Sequence, residues 1–187
     1  MNNDIETIIK KIAKRTIDLF TNQGVILNID NGSFQNDYFN NKFGIFVEIA
    51  DHYELISAFG NIESDVNILE NLIFVLVNTM KALPVEYIEK LKNHSLNIRV
   101  WVVESYDNIK GLSDNEKIYN ISAQKPAILI NKNDTNSFCY LPIIWKDESD
   151  PIYILENLAI SAGLNKDDWK NQSIDLIVFN PQAIIIN

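Results

Sequence analysis

Residues 65–83 restrict the possible folds more than any other part of the chain. Apolar side chains recur there at helical spacing, and further apolar residues fill the other sides; the spaced set is Leu69, Leu72, Ile73, Leu76, Met80 and Leu83. A helix that is apolar on nearly every side must be buried at the centre of a domain. A buried strand at 72–77 is the alternative, but no Gly or Pro interrupts 61–83, so length favours a helix. Pro84 either ends this helix or opens a short second one to Lys92.

Strand patterns occupy much of the remaining chain and group into hairpins. Residues 43–50 and 53–59 are β-rich runs joined by a short loop, which predicts a hairpin, and residues 127–131 with 137–144 predict another. Single strands are also predicted, at 25–29, 96–104, 174–179 and 183–186.

Two more helices are indicated by their apolar spacing and by their end signals. Residues 4–20 carry an apolar stripe, and Gly24 follows as a helix stop. Asp150 and Pro151 are suited to the N-cap and first helical position of another helix, which Gly163 ends.

The order of these elements predicts the fold class. Helices and hairpins are interspersed without a strict βαβ alternation, which indicates an α+β protein with a mostly antiparallel sheet packed against helices. The 187 residues are enough for one large domain or two small lobes. Because no linker is visible, we expect a single domain over residues 1–187. Asn31-Gly32 predicts a turn, and 106–117 is predicted to be a polar loop.

Charge and composition argue against several classes of function. The net charge is −9 and there are only two arginines, which disfavours nucleic acid as a partner. The longest apolar run, at 72–77, is far shorter than the ~20 residues that cross a bilayer, so no membrane span is expected. The single cysteine, Cys139, cannot form an internal disulfide, and the first residues are acidic where an export signal would be basic. We therefore expect a cytoplasmic protein.

Several short segments follow one another in an order typical of one protein family. Residues 12–18 read IAKRTID, 44–49 read GIFVEI, 141–144 read LPII and 158–164 read LAISAGL, followed by Trp169. These segments resemble the LARRAIE, GxFVTL, LPQV and LCxKAGL segments and the following tryptophan of the AMMECR family. The resemblance runs nearly end to end and implies an AMMECR-like α+β domain.

The hallmark of that family, LRGCIG, directly follows the GxFVTL strand, and this chain departs from it. The corresponding residues here are Leu55, Ile56, Ser57, Ala58, Phe59 and Gly60, of which only Leu55 and Gly60 agree. Ile56 replaces an arginine that could clamp a carboxylate or phosphate, and Ala58 replaces a cysteine that could act as nucleophile or ligand. These six residues are our candidate ligand-binding segment, as a degenerate form of the motif.

Few other residues suggest chemistry. Ser57 keeps a hydroxyl, but a serine nucleophile needs a base, and the nearest histidine in sequence is His52 in the predicted hairpin loop. The alternative for residues 55–60 is a strand covered on both faces. Cys139 is expected in the core and His94 on the surface. The histidines and the cysteine lack zinc spacing, so we expect no metal and no cofactor, and we assign no catalytic residue.

The resemblance also implies partners, because AMMECR proteins look like partners or fusions of Memo-type proteins and radical-SAM enzymes. One hypothesis is a non-catalytic binding or interaction scaffold. The other is an enzyme, or an enzyme accessory subunit, in a Memo- or radical-SAM-linked pathway, with a site rebuilt from Ser57, His52 and acidic residues. A third is a subunit that forms homo-oligomers through its acidic surface or an apolar edge.

Overall fold

The computed structural model describes residues 1–29, 36–133 and 135–186 and divides into two compact units. The first unit comprises Met1–Glu104 and Pro181–Asn187, and the second comprises Ser105–Asn180. Each unit contains a four-stranded sheet in which every strand pair is antiparallel. The predicted α+β class with antiparallel sheet is therefore confirmed, whereas the single domain over the whole chain stays a prediction.

The regular elements are numbered in chain order. They are α1 (Asn3–Gln23), β1 (Phe43–Asp51), β2 (Glu54–Glu63), α2 (Ile68–Lys81), α3 (Ile88–Lys92), β3 (Asn97–Val103), β4 (Asp107–Asn108), α4 (Asp114–Gln124), β5 (Ala127–Asn133), β6 (Asn136–Tyr140), α5 (Pro151–Ser161), β7 (Asp175–Phe179) and β8 (Gln182–Ile186). Short 3-10 helices lie at Asp37–Asn40, Val85–Tyr87, Pro142–Lys146 and Asp168–Lys170.

The first unit is built around α2, as its sequence predicted. Ten of the fourteen residues of α2 are buried. The apolar ones among them share one core with Ile9 of α1 and with Ile45, Val47 and Ile49, which alternate along β1 and have no exposed surface. Because alternate strand residues point to opposite faces, α1 and α2 cover one face of the sheet, whose strand order is β2-β1-β3-β8.

None of the helices in residues 1–29, 36–133 and 135–186 is by itself both long and apolar enough to cross a bilayer. The helix α2 meets the criteria only in combination with Val85–Lys92, across a bend of 118°.

The ends of the helices confirm the signals read from sequence. Gly24 adopts the left-handed conformation, with φ of 66°, and its N–H donates to the carbonyl of Phe20 at the end of α1. Gly163, with φ of 72°, follows α5 in the same conformation. The side chain of Asp150 accepts a hydrogen bond from the backbone of Ile152 and so caps the start of α5.

Two of the predicted strands are wrong in whole or in part. Residues 25–29 form no strand, and Val25 and Ile26 are 49% and 52% exposed. β-Branched residues favour a strand only where neighbouring strands and a buried face support it. The strand predicted at 137–144 stops at Tyr140, because the following Pro142 starts a 3-10 helix and has no N–H for the ladder. The turn predicted at Asn31-Gly32 lies outside the described residues.

The second unit contains a helix that the sequence analysis missed. The predicted loop 106–117 contains the start of α4, which opens with a capping box between Ser113 and Glu116. The sheet order is β4-β7-β5-β6, and its core combines α5 with Ile121 of α4. Only Lys117 and Ile121 of α4 are buried. The helix therefore lacks the apolar stripe on which a periodicity argument depends.

Lys117 is the one charged residue with no exposed surface in the described ranges. Its ammonium donates to the carbonyls of Trp169 and Lys170, at 3.3 and 3.4 Å, and lies 3.8 Å from Asp114 Oδ1. The two carbonyls belong to the 3-10 helix Asp168–Lys170. A buried charge is tolerated only when it is paired and hydrogen-bonded, so Lys117 joins α4 to this segment.

Candidate functional site

Residues 55–60 lie in β2, at one edge of the first sheet. The pairing of β2 with β1 is irregular there: Ile49 lies opposite Ser57, and Ala50 lies opposite Leu55. Ile56 is thus an additional residue, a β-bulge, which alters the alternation of side chains between the two faces. The strand that the sequence places here is confirmed, but its facing pattern could not be predicted from alternation.

The bulge allows two consecutive residues to approach the core. Ile56 packs against the core of the first unit, and the next residue, Ser57, is buried. Leu55 and Phe59, in contrast, are 57% and 41% exposed, and Ala58 is exposed as well. The alternative of a strand covered on both faces is therefore wrong for this segment.

The hydroxyl of Ser57 is used by the fold. It donates a hydrogen bond of 2.9 Å to the carbonyl of Thr79, in the last turn of α2. The last carbonyls of a helix have no partner within the helix, and a side-chain donor can satisfy them. Ser57 therefore caps the C-terminal end of α2 and ties β2 to it.

His52 is placed away from that hydroxyl, in the turn between β1 and β2. Its side chain is 91% exposed, and its Nε2 atom lies 3.9 Å from Asp51 Oδ1. Lys90 donates a hydrogen bond of 2.6 Å to Asp51, which lowers the pKa of that carboxyl group below its usual value. The structure does not bring Ser57, His52 and an acid together as a nucleophile, a base and an orienting group.

A second polar contact joins β2 to α2 just beyond the six-residue segment. Asn61 and Asn71 exchange amide hydrogen bonds of 2.8 and 2.9 Å, and Asn71 also donates to the carbonyl of Phe43 at 2.9 Å. Asn71 is only 1% exposed. Sequence reasoning missed this pair, although a buried amide in an otherwise apolar helix was a signal that it needs a partner.

An exposed aromatic pair lies between these two contacts. The rings of Phe59 on β2 and Phe74 on α2 are edge to face, with centroids 6.1 Å apart. Phe59 is 41% exposed and Phe74 is 55% exposed. Their strand and helix are fixed on both sides, by Ser57 and by Asn61, so this aromatic pair is a preformed apolar surface.

The opposite face of the sheet holds a buried carboxylate next to Ala58. Glu48 lies across from Ala58 on one side and from Arg99 on the other. Its Oε2 atom accepts hydrogen bonds from Trp101 Nε1 at 2.7 Å and from Arg99 Nη1 at 3.4 Å. Arg99 also lies 5.4 Å from the centroid of the Trp101 ring. The charge of Arg99 is thus compensated by Glu48. Ala58, which lies beside Glu48, has only a methyl group and adds no polar contact to these three side chains.

Gly60 is required by a close approach of the neighbouring strand. A Cβ atom at this position would lie 2.5 Å from Phe46 Cγ and 2.6 Å from the carbonyl oxygen of Ile45. No side chain fits at these distances without displacing β1. Gly60 therefore serves the packing of β2 against β1.

The remaining candidate residues are dispersed. Cys139 is half-buried on β6, and the side chain of His94 is 60% exposed, 3.8 Å from Asp18. Within the part of the chain that is described, no cluster of three or more His, Cys, Asp or Glu side chains could hold a metal ion. A cavity of about 20 Å³ lined by residues that include Lys14 and His94 has room for about one water molecule.

Comparison with known proteins identifies the fold. The AMMECR1 family model matches residues 10–184. Among solved structures, the crystal structure of an uncharacterised protein from Pyrococcus horikoshii is similar, with a TM-score of 0.80 and 18% identity over 98% of this chain and 92% of that chain. At this identity the likeness concerns the fold alone. None of the curated proteins in the comparison matches the chain.

Proposed function

The chain belongs to the AMMECR1 family, and we propose that it is a binding protein whose Leu55–Gly60 segment recognises a partner protein instead of catalysing a reaction. The observation that carries this proposal is which side chains of the segment are hydrogen-bonded and which are exposed. Its one hydroxyl, that of Ser57, caps α2, while the apolar side chains of Leu55 and Phe59 are exposed. An exposed apolar surface is suited to association with a partner. A hydroxyl that already donates its proton to a helix carbonyl, with no base beside it in the described part of the chain, is not poised for nucleophilic attack.

The residues around the segment support the same proposal. Ile56 and Ala58 have no group that could transfer a proton or bind a metal. Arg99, the nearest guanidinium on the opposite face, is paired with Glu48. The chemistry that the family motif would supply is therefore absent at residues 56 and 58, while the strand that presents these positions remains.

The partners to test are the Memo-type and radical-SAM proteins that the family resemblance implies, taken from the same genome. Each is purified, and its binding to the immobilised chain is measured by biolayer interferometry. The test variant is Phe59→Ser with Phe74→Ser, and the matched control is Ile160→Ser, which removes an exposed apolar residue (55% exposed) on α5 in the other unit. Loss of a well-buried aromatic anchor costs about 2 kcal/mol or more, so Kd should rise by about 30-fold or more in the double variant only.

Two results would count against this proposal. One is equal affinity of the wild type and the double variant for every partner that binds. The other is substrate turnover by the pure chain that Ser57→Ala abolishes while the protein stays folded. That second result would support the alternative, an enzyme with a rebuilt site.

A further inference from the structure

β2 is an edge strand of the first sheet. In the described ranges no strand pairs with β2 on the side away from β1. β2 has ten residues, whereas β8, at the other edge of the same sheet, has five. An edge strand presents unpaired N–H and C=O groups, and an extended peptide can add to it through main-chain hydrogen bonds.

The aromatic pair provides a side-chain anchor beside that edge. Phe59 is the sixth residue of β2, near its middle, and contacts Phe74 in edge-to-face geometry. The hydrogen bonds of Ser57 with Thr79 and of Asn61 with Asn71 hold the strand and the helix on both sides of the pair. A partner strand would therefore meet a surface that needs little reorganisation, which favours affinity.

Charge distinguishes between the possible occupants of this edge. β2 begins at Glu54 and ends at Glu63 and contains no lysine or arginine. Full-length antiparallel pairing with a second copy would place Glu54 of each copy opposite Glu63 of the other, and like charges directly opposite one another are destabilising. The net charge of −9 adds to that repulsion. A peptide strand with a basic residue at each end would instead place opposite charges beside Glu54 and Glu63, whether it runs parallel or antiparallel to β2.

On these grounds we propose that an extended peptide segment with an apolar centre and basic ends adds to the outer edge of β2 as a fifth strand. This inference rests on the proposed binding function and specifies its partner and its mode. The peptide backbone supplies the ladder of hydrogen bonds, an apolar side chain of the peptide packs on Phe59 and Phe74, and its basic ends lie near the carboxylates of β2.

The probe is a ten-residue synthetic peptide with lysine at each end and alternating valine and threonine between. Its binding to the full chain is measured by fluorescence anisotropy and by shifts of the backbone amide signals of β2. Only every second residue of an added strand directs its N–H toward its neighbour. Two versions of the peptide, N-methylated at the two alternate sets of residues, should therefore differ. Methylation of the residues whose N–H faces β2 should weaken binding about tenfold or more, and methylation of the other set should leave it unchanged. A glutamate-ended peptide should bind less tightly by about fivefold or more at low salt.

Protein variants locate the site. Phe59→Ser should weaken binding of the lysine-ended peptide about tenfold, and Glu54→Gln about threefold. Ile185→Ser is the matched control, because Ile185 is 51% exposed on β8, at the other edge of the same sheet, and should change nothing.

Four results would overturn this inference: no binding of the probe, equal effects of both methylation sets, loss of binding in Ile185→Ser, or a dimer in light scattering that Phe59→Ser dissociates. If the Memo-type or radical-SAM partner still depends on Phe59 and Phe74 in any of these cases, the proposed function stands and only the strand-addition mode fails. If that dependence is also absent, both proposals fail.

Discussion

Replacing Gly60 by alanine tests whether the six-residue segment has the fixed shape that the structure gives it. The new Cβ would lie 2.5 Å from Phe46 Cγ and 2.6 Å from the Ile45 carbonyl oxygen, whereas ordinary contact begins at 3.4 Å. The Ile45 carbonyl must therefore retreat by about 0.8 Å, and the Phe46 ring by more than about 0.9 Å, because its Cδ1 atom would lie closer still than Cγ. The ring has limited room because Phe46 is only 8% exposed, and the carbonyl belongs to β1, which pairs on both sides.

The expected size of the effect follows from two opposing contributions. Overpacking of a buried position costs about 1–3 kcal/mol, and the backbone contact favours the upper part of that range. Alanine also restricts the unfolded chain relative to glycine, which offsets about 0.4–1 kcal/mol. We therefore expect Gly60→Ala to lower the free energy of unfolding by about 2 kcal/mol, or the melting temperature by about 4–8 °C in a chain of this length.

Gly111→Ala is the matched control, because among the described residues no heavy atom beyond its own chain neighbours lies within 4 Å of its Cβ position. It should be neutral or stabilising by up to about 1 kcal/mol, through the unfolded state alone. Urea titration with tryptophan fluorescence gives the two free energies, and hydrogen exchange of β1 peptides locates the change in the first unit. If Gly60→Ala unfolds at the same urea concentration as Gly111→Ala, or at a higher one, Phe46 does not pack on Gly60 and the segment is not held in this shape.

Three further predictions concern single side chains. Ser57→Ala should lower the free energy of unfolding by about 1–2 kcal/mol, because a buried carbonyl loses its donor; unchanged urea denaturation would contradict the capping role. Lys117→Met should lower the free energy of unfolding by about 2 kcal/mol, because two buried carbonyls lose their donor, whereas the exposed Lys132→Met should lower it by less than about 0.5 kcal/mol. Equal values for the two variants would contradict the buried ammonium contacts. The carboxyl group of Asp175 accepts a hydrogen bond from Lys110, which lowers the pKa of Asp175 in the folded protein. The contribution of this group to stability is therefore present above the unfolded-state pKa of about 3.9 and is lost as pH falls through the lower folded-state pKa. Carbon NMR titration should show a higher Asp175 pKa in Lys110→Met, and an identical pKa in both proteins would contradict this cause.

The elements that were predictable from sequence are those whose local signals, such as apolar spacing and end residues, agree with the burial that the fold gives them. The helix α2 was predicted because its apolar surface requires burial, and α1 and α5 because Gly24 and Gly163 mark their ends. The helix α4 was missed because Lys117 serves as one of its two buried residues, and the periodicity argument counts lysine as polar. Residues 25–29 show the converse error, since β-propensity alone does not supply a neighbouring strand.

The candidate segment shows a different limit. Its position on a strand could be inferred from the sequence, and so could the lack of reactive groups at Ile56 and Ala58, because side-chain chemistry does not depend on conformation. The bulge at Ile56 could not be inferred, because it depends on the register of β2 against β1. The capping contact of Ser57 was equally hidden, because its partner Thr79 is 22 residues away in the chain.

The role of Ser57 bears directly on how the two hypotheses should be separated. A hydroxyl that caps α2 must break its bond to Thr79 before it can attack a substrate, which leaves a helix carbonyl without a donor. An enzyme built on this serine would therefore lose stability whenever its nucleophile is in use. A binding surface built on Phe59 and Phe74 needs no such change, because their exposure and the capping bond coexist in one structure. A larger loss of stability than of partner affinity in Ser57→Ala, and a larger loss of affinity than of stability in Phe59→Ser, would thus assign the two main roles to different residues of one strand.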